Sequence, residues 1–158
     1  IMQKIVPCLW FDNNAEEAMN FYTSVFKNSK IINRSYYLEG SPGPAGSLMV
    51  ASFIIEDQEY MVLNGGPYYK MTPGISFYVK CENQEEVDYY WNKLLDGGTP
   101  MQCGWITDQF GVSWQIVPTI LGEMLNDTDK EKAKRVMDAM LKMIKIEIPL
   151  LQKAYNKE

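Results

Sequence analysis

The sequence predicts an α+β fold: two tandem modules, each a strand, a helix and then further strands, followed by a helical tail. Three observations predict it. The helix-start pattern at residues 14–22 returns at residues 83–91. The apolar stripe behind each start has the spacing of a one-faced helix. Strand-like segments bounded by turn residues flank both helices, which gives each module the order βαβββ.

The two predicted helices begin at Asn14 and Asn83, each an N-cap residue followed by two glutamates. The second glutamate can complete a capping box, and both lie at the positive end of the helix dipole. Five apolar positions then recur at the same offsets, which favours duplication of a module over a chance match of two amphipathic helices. These positions are Ala18, Phe21, Tyr22, Val25 and Phe26 in the first copy and Val87, Tyr90, Trp91, Leu94 and Leu95 in the second.

In the first module, residues 5–11 predict the strand before the helix. Residues 29–39 are rich in Ile and Tyr and predict the strand after the helix. The Gly- and Pro-rich residues 40–47 predict a loop. Residues 48–56 and 59–64 then predict a hairpin that turns at Asp57 and Gln58.

In the second module, residues 74–81 predict the first strand, and Gly97 and Gly98 end the helix. A shortened strand is expected between Gly98 and Trp105, and further strands near residues 101–107 and 112–117. In the tail, the spacing from Ala133 to Ile144 predicts a helix started by Thr128 or Asp129. Pro149 predicts a final short helix through Tyr155.

Length and composition indicate one compact domain over residues 1–158, with module one at 4–66, module two at 73–118 and a helical extension at 119–158. The net charge of −5 argues against nucleic acid as a partner, since phosphate binding needs a basic face. No apolar run has membrane-spanning length. Three unpatterned cysteines indicate reduced thiols in the cytoplasm, and the absence of histidine excludes His-based triads and metal sites.

Several stretches resemble the vicinal-oxygen-chelate superfamily, which includes glyoxalase I, bleomycin-resistance proteins and extradiol dioxygenases. Within it, the chain is most similar to the PhnB-like branch labelled 3-demethylubiquinone-9 3-methyltransferase. The resemblance covers residues 4–118 and implies cupped mixed sheets and a homodimer. The stretches are residues 9–12, 15–18, 21–22, 63–67 and 108–118.

The resemblance also implies where metal ligands would lie, on the first and last strand of each module. These positions carry neither carboxylate nor imidazole, so we expect no metal. The label implies S-adenosylmethionine, but the turn at residues 12–14 contains no glycine, so we expect no such cofactor. The ligand positions are residues 6–8, Ser76, Val62 or Asn64, and Gln115, where many members have glutamate.

The favoured interpretation is a metal-free small-molecule-binding protein. Strand alternation places Leu9, Phe11, Phe77 and Val79 under the helices. Aromatic walls with a few polar groups are typical of ligand pockets, although the same side chains can fill a barrel core. Trp105 suits either role, and core is favoured for Trp114. The pocket candidates on the cup side are Cys8, Trp10, Ser76 and Tyr78, joined by Tyr60, Asn64, Ser113 and Gln115.

Two other classes stay open. One is an enzyme of the same superfamily: a methyltransferase, as the label says, or a metal-dependent lyase, isomerase or dioxygenase. Its acid–base candidates would be Cys8, Glu59, Tyr60 and Tyr78, but none has a visible partner base, so no catalytic residue is assigned. The other is a protein-interaction module, supported by the amphipathic tail with its interspersed lysines.

Overall fold

The computed structural model describes residues 2–158, which form two compact units. The first unit ends at Met71, and the second comprises Thr72–Glu158. Each unit contains one four-stranded mixed sheet with a helix packed on one side, and neither sheet closes into a barrel. The predicted α+β class, with two βαβββ modules and helices after them, is confirmed.

The first unit has its strands in the order β1-β4-β3-β2. β1 runs parallel to β4, and the other neighbours are antiparallel. Its elements are β1 (Cys8–Phe11), α1 (Ala15–Val25), β2 (Ser29–Tyr36), β3 (Leu48–Ile55) and β4 (Gln58–Asn64).

The second unit repeats this arrangement in the order β5-β8-β7-β6, with β5 parallel to β8. The shortened strand expected after Gly98 is β6, which has only two residues. The elements of the repeat are β5 (Ser76–Cys81), α2 (Gln84–Leu95), β6 (Thr99–Pro100), β7 (Trp105–Thr107) and β8 (Ser113–Pro118).

The two helix starts differ in how they are capped. Asn83 has extended backbone, its side chain accepts a hydrogen bond from Glu86 N, and the Glu86 carboxylate accepts one from Glu82 N. Asn14 holds the N-cap position of α1, as predicted, but its side chain makes no capping hydrogen bond, because its backbone (φ −118°, ψ 27°) lies outside the extended region from which a side chain reaches back. Asn64, at the end of β4, replaces it by accepting from Ala15 N at 2.9 Å.

The hairpin between β3 and β4 turns one residue earlier than expected. Ile55 pairs with Gln58, which leaves Glu56 and Asp57 as the two turn residues. Both have positive φ, 47° and 67°. This is the geometry of a type I′ turn, whose twist matches that of the flanking strands.

Each sheet has a helix face, covered by α1 or α2, and an opposite open face. Leu9 and Phe11 are buried on the first helix face, as predicted. Trp114 is buried on the second, which confirms its core assignment, and its ring packs against Phe77 at 5.2 Å. The other buried residues of the two helix faces are Ala51, Phe53, Ile55, Val62, Cys81, Ile106 and Ile116.

The tail forms three helices, α3 (Thr119–Leu125), α4 (Lys130–Met140) and α5 (Ile148–Asn156), which pack on their own unit. α3 was not expected from the sequence. Asp129, one of the two expected starts, caps α4, and Pro149 opens α5 as predicted. Their shared core consists of Val117, Leu121, Met124, Val136, Met143, Ile146 and Leu151.

The helix expected to continue to Ile144 instead ends at Met140. Beyond it the backbone turns to meet the loop before β7: Cys103 N donates to Met143 O at 2.9 Å and Gly104 N to Ile144 O at 2.8 Å. Leu141 and Ile144 are consequently exposed. Across residues 2–158, no helix combines the length and apolarity needed to cross a bilayer.

Candidate functional site

The open face of the second sheet brings together the four candidates that the sequence placed in that module, Ser76, Tyr78, Ser113 and Gln115. Ser76, Tyr78 and Gln115 share this face because β5 and β8 run in parallel register, with Tyr78 beside Gln115. The Gln115 side-chain Nε2 donates a hydrogen bond to Ser76 Oγ at 3.0 Å. A neutral amide and a hydroxyl therefore form the polar centre of this face.

Aromatic side chains flank this polar pair. Tyr78 is 53% exposed, and desolvation of its phenol raises its pKa, with a smaller contribution from Cys81. Trp105, for which both roles were open, is the register partner of Gln115 on β7 and lies on the same face. The arrangement offers ring surfaces beside one donor–acceptor pair, which suits a small polar aromatic ligand.

Ser113 adds a further polar group to this face. It is the register partner of Ser76 and is only 1% exposed. Within residues 2–158 its Oγ has no hydrogen-bond partner. A buried hydroxyl without a partner is costly, so this atom is a place where a water molecule or ligand group would gain a hydrogen bond.

The open face of the first sheet is mostly apolar around the two candidates from β1. Cys8 and Trp10 lie there beside Met61 and Leu63, their register partners on β4. Cys8 is exposed overall, yet partial desolvation of the thiol raises its pKa. The thiol is therefore protonated at neutral pH.

The remaining two candidates lie on the helix face, contrary to the expectation that they share the cup side. Tyr60 pairs with Phe53, and the two rings stack at a centroid distance of 5.6 Å. Asn64 pairs with Phe11 and is held by Ala15 N and by Leu48 O, which accepts from its Nδ2. The physical reason is the register of β1 on β4. Because Cys8 aligns with Met61, the even-numbered residues of β4, which include Tyr60 and Asn64, point to the opposite face.

The family follows from a match over most of the chain. The family model described as 3-demethylubiquinone-9 3-methyltransferase matches residues 3–117. The chain belongs to the 3-demethylubiquinone-9 3-methyltransferase family. No curated protein matches it significantly.

One solved structure agrees with membership of the 3-demethylubiquinone-9 3-methyltransferase family, and a second, below 25% identity, shows the same fold. A protein from Bacillus cereus, described as a putative 3-demethylubiquinone-9 3-methyltransferase and PhnB protein, is 39% identical, with a TM-score of 0.69 over 74% of this chain and 100% of its own. The Pseudomonas aeruginosa protein PA1353 is 24% identical, with a TM-score of 0.62 over 74% and 98%.

A more distant neighbour relates the fold to a metal-containing protein. The fosfomycin resistance protein FosX from Listeria monocytogenes, solved with Mn(II) and sulfate, is 17% identical, with a TM-score of 0.52 over 72% of this chain and 89% of its own. At this identity the similarity shows the fold alone. It supports the glyoxalase/bleomycin-resistance architecture expected from the sequence.

The residues at the expected metal positions of this family member do not suit a divalent ion. Ser76 and Gln115 are neutral and hydrogen-bonded to each other, and Asn64 caps α1. Val62 is buried on the helix face, and Cys8 is a thiol of raised pKa. Within residues 2–158, no three Cys, Asp or Glu side chains group together as ligands. A neutral donor set does not offset the dehydration of a divalent ion.

The family description names a methyltransferase, and the local structure fits its cofactor no better. The turn between β1 and α1 consists of Asp12, Asn13 and Asn14, with no glycine for close backbone approach. The first N–H of α1, at Ala15, is already bonded to Asn64 Oδ1. A nucleoside cofactor would therefore find no Gly-rich turn and no free first N–H at this helix start.

Proposed function

We propose that this protein binds a small polar aromatic molecule without a metal, on the open face of the second sheet. The observation that carries the proposal is the hydrogen bond between Gln115 Nε2 and Ser76 Oγ beside the exposed ring of Tyr78. The Gln115 carbonyl and the Ser76 hydroxyl proton keep hydrogen-bonding capacity for a ligand. Tyr78 and Trp105 supply the ring surfaces.

Proton abstraction is poorly supported for three of the four acid–base candidates, Cys8, Tyr60 and Tyr78. Desolvation raises the pKa of the Cys8 thiol and of the Tyr60 and Tyr78 phenols above already alkaline ordinary values. All three groups are protonated at neutral pH, so none is poised as a general base. This favours binding over the enzymatic alternatives that the family description suggests.

Catechol is a suitable probe of this site, because its ring can stack on Tyr78 while its hydroxyls pair with the polar centre. We expect binding in the millimolar range, measured in NMR titrations by the backbone amide resonances of Tyr78 and of residue 115, which the variants retain. Gln115→Ala should weaken binding about fivefold, since one hydrogen bond contributes about 1 kcal/mol. The matched control is Gln102→Ala, which removes an exposed side-chain amide before β7 and should leave the catechol affinity unchanged. Equal loss in both variants, or no binding by the unaltered protein, would contradict the proposal.

The absence of a metal is a separate expectation with its own measurement. Elemental analysis after desalting should find below about 0.1 ion of Mn, Fe, Ni or Zn per chain, because the neutral donors bind these ions weakly. Gln115→Glu supplies one carboxylate and should not raise this content, since one ligand is insufficient. About one ion per chain that survives mild chelation would refute the metal-free part of the proposal.

We also propose that the protein is a homodimer and works in a reducing compartment, the cytoplasm. Apolar side chains of the tail support the dimer, since Met137, Leu141, Ile144 and Leu150 are exposed. All three cysteines are free, which supports the compartment. Sedimentation at micromolar concentration should give twice the mass of one chain. Leu141→Glu should lower the measured mass toward that of one chain. The control Lys142→Glu, at the exposed neighbouring residue, should leave the mass unchanged. A monomer for the unaltered protein would rule out the dimer.

A further inference from the structure

A cleft opens in the first unit at the end of β1 and β4. Its volume is about 400 Å³, within the range of small-molecule sites. The loop between β2 and β3 forms one wall, and the segment after β4 forms the other. The lining residues that matter here are Asp12, Tyr37, Asn64, Gly65, Gly66 and Tyr68.

The walls of the cleft are held by specific contacts. Tyr37 OH donates to Asn64 O at 2.5 Å, which joins the loop wall to the end of β4. Tyr37 N donates to Ser47 O, and Gly46 N donates back to Tyr37 O, both at 2.8 Å, which closes the base of the loop. The cleft is therefore bounded by fixed backbone on the loop side.

Trp10 fixes the opposite wall. Its Nε1 donates to Gly66 O at 2.9 Å, and its ring meets Tyr69 edge-on at 5.0 Å. Gly65 lies so close to this ring that an added Cβ would be 2.2 Å from Trp10 Cζ2. Trp10, expected as a pocket wall, thus also positions the segment that lines this cleft.

The cleft is lined by aromatic and proline rings and by a single charged group, which is negative. The aromatic rings of Tyr37 and Tyr68 and the rings of Pro42, Pro44 and Pro67 make much of its surface. Asp12 is the one charged residue among those that line it, and no lysine or arginine accompanies it. A carboxylate beside tyrosine rings attracts a cation by charge and by the quadrupole of the ring faces, and it repels an anion.

We propose that this cleft binds an organic ammonium ion with a small apolar or aromatic body. The ammonium group pairs with the Asp12 carboxylate, and the body lies against Tyr68 and the proline rings. Tyr68 is 78% exposed, so its ring face is open to a ligand. All residues that line this cleft belong to the first unit, whereas the face proposed for the neutral ligand belongs to the second.

The test compares 2-phenylethylammonium with 2-phenylethanol, which has the same ring and chain without the charge. Amide resonances of Gly65 and Gly66 are followed by NMR during each titration. We expect saturable shifts at these two glycines and at least about fivefold tighter binding of the ammonium, as for a partly exposed cation beside a carboxylate and an aromatic ring. Equal affinity for both probes, or shifts that bypass these glycines, would overturn the proposal.

Variants separate the two parts of the recognition. Asp12→Asn should lower the affinity for 2-phenylethylammonium to that for 2-phenylethanol. Tyr68→Ala should weaken the binding of both probes. Both side chains are exposed, and the amide spectrum itself reports whether each variant folds. The matched control is Asp57→Asn, which removes an exposed carboxylate at the β3–β4 turn and should leave the preference intact. If Asp57→Asn abolished the preference as fully as Asp12→Asn, the effect would be net charge rather than a site, and the proposal would fail.

Discussion

Replacing Asp108 with alanine should lower the free energy of unfolding by about 3 to 5 kcal/mol, because buried donors lose a charged acceptor. Asp108 is only 3% exposed. Its Oδ1 accepts from Phe110 N at 2.8 Å and Val112 N at 3.0 Å, and its Oδ2 accepts from Trp114 Nε1 at 2.8 Å. The carboxylate therefore fixes both the turn before β8 and the core tryptophan on β8.

The measurement is urea unfolding followed by tryptophan fluorescence, since Trp114 reports directly on the lost contact. Asp108→Asn keeps one acceptor oxygen and should lower the free energy of unfolding by less than Asp108→Ala does. Asp96→Ala, which removes an exposed carboxylate after α2, should stay within about 0.5 kcal/mol of the unaltered protein. A loss below about 1 kcal/mol for Asp108→Ala would show that water or relaxation replaces its bonds.

The role of Asp108 could not be predicted from the sequence. An aspartate in a Gly-containing turn commonly bonds to the turn backbone two residues on, and Asp108 does so at Phe110 N. Its second oxygen meets a ring whose position depends on the pairing of β7 with β8. Local sequence patterns indicate hydrogen bonds within a turn, but they do not indicate contacts that depend on how distant strands pair.

The same distinction explains which parts of the fold were predictable. The helices and their repeat follow from apolar periodicity, which is a property of neighbouring residues. The cap of α1 was not predictable in this way, because Asn64 is 49 residues from Ala15 along the chain and reaches it only through the parallel pairing of β1 with β4. Asn14 had the right residue type and the wrong backbone conformation.

The sequence correctly grouped the candidates of the second unit on one face but not those of the first, for a related reason. Alternation correctly assigns residues of one strand to one face, but the face of a partner strand depends on register. In the second unit the register aligns Tyr78 with Gln115, so the candidates meet. In the first it aligns Cys8 with Met61, which sends Tyr60 and Asn64 to the helix face.

Gly98→Ala is expected to destabilise the protein by about 3 kcal/mol, because an alanine Cβ at this position would meet backbone. The Cβ would lie 2.4 Å from Thr107 O and 2.9 Å from Asp108 Cα. Neither atom can swing aside as a side chain would, since Thr107 pairs with Thr99 and Ser113 on its two sides. Relief requires β6 and β7 to separate.

Gly122→Ala provides the matched control, since it adds the same methyl group at a different glycine. Nothing lies within 4 Å of its added Cβ, and the residue belongs to α3. Alanine there should raise stability by up to about 1 kcal/mol, because glycine is a poor helix former. The two variants, compared by urea unfolding, should thus shift in opposite directions. Equal shifts would mean that β6 moves freely from β7 and that the close approach at Gly98 does not constrain the second sheet.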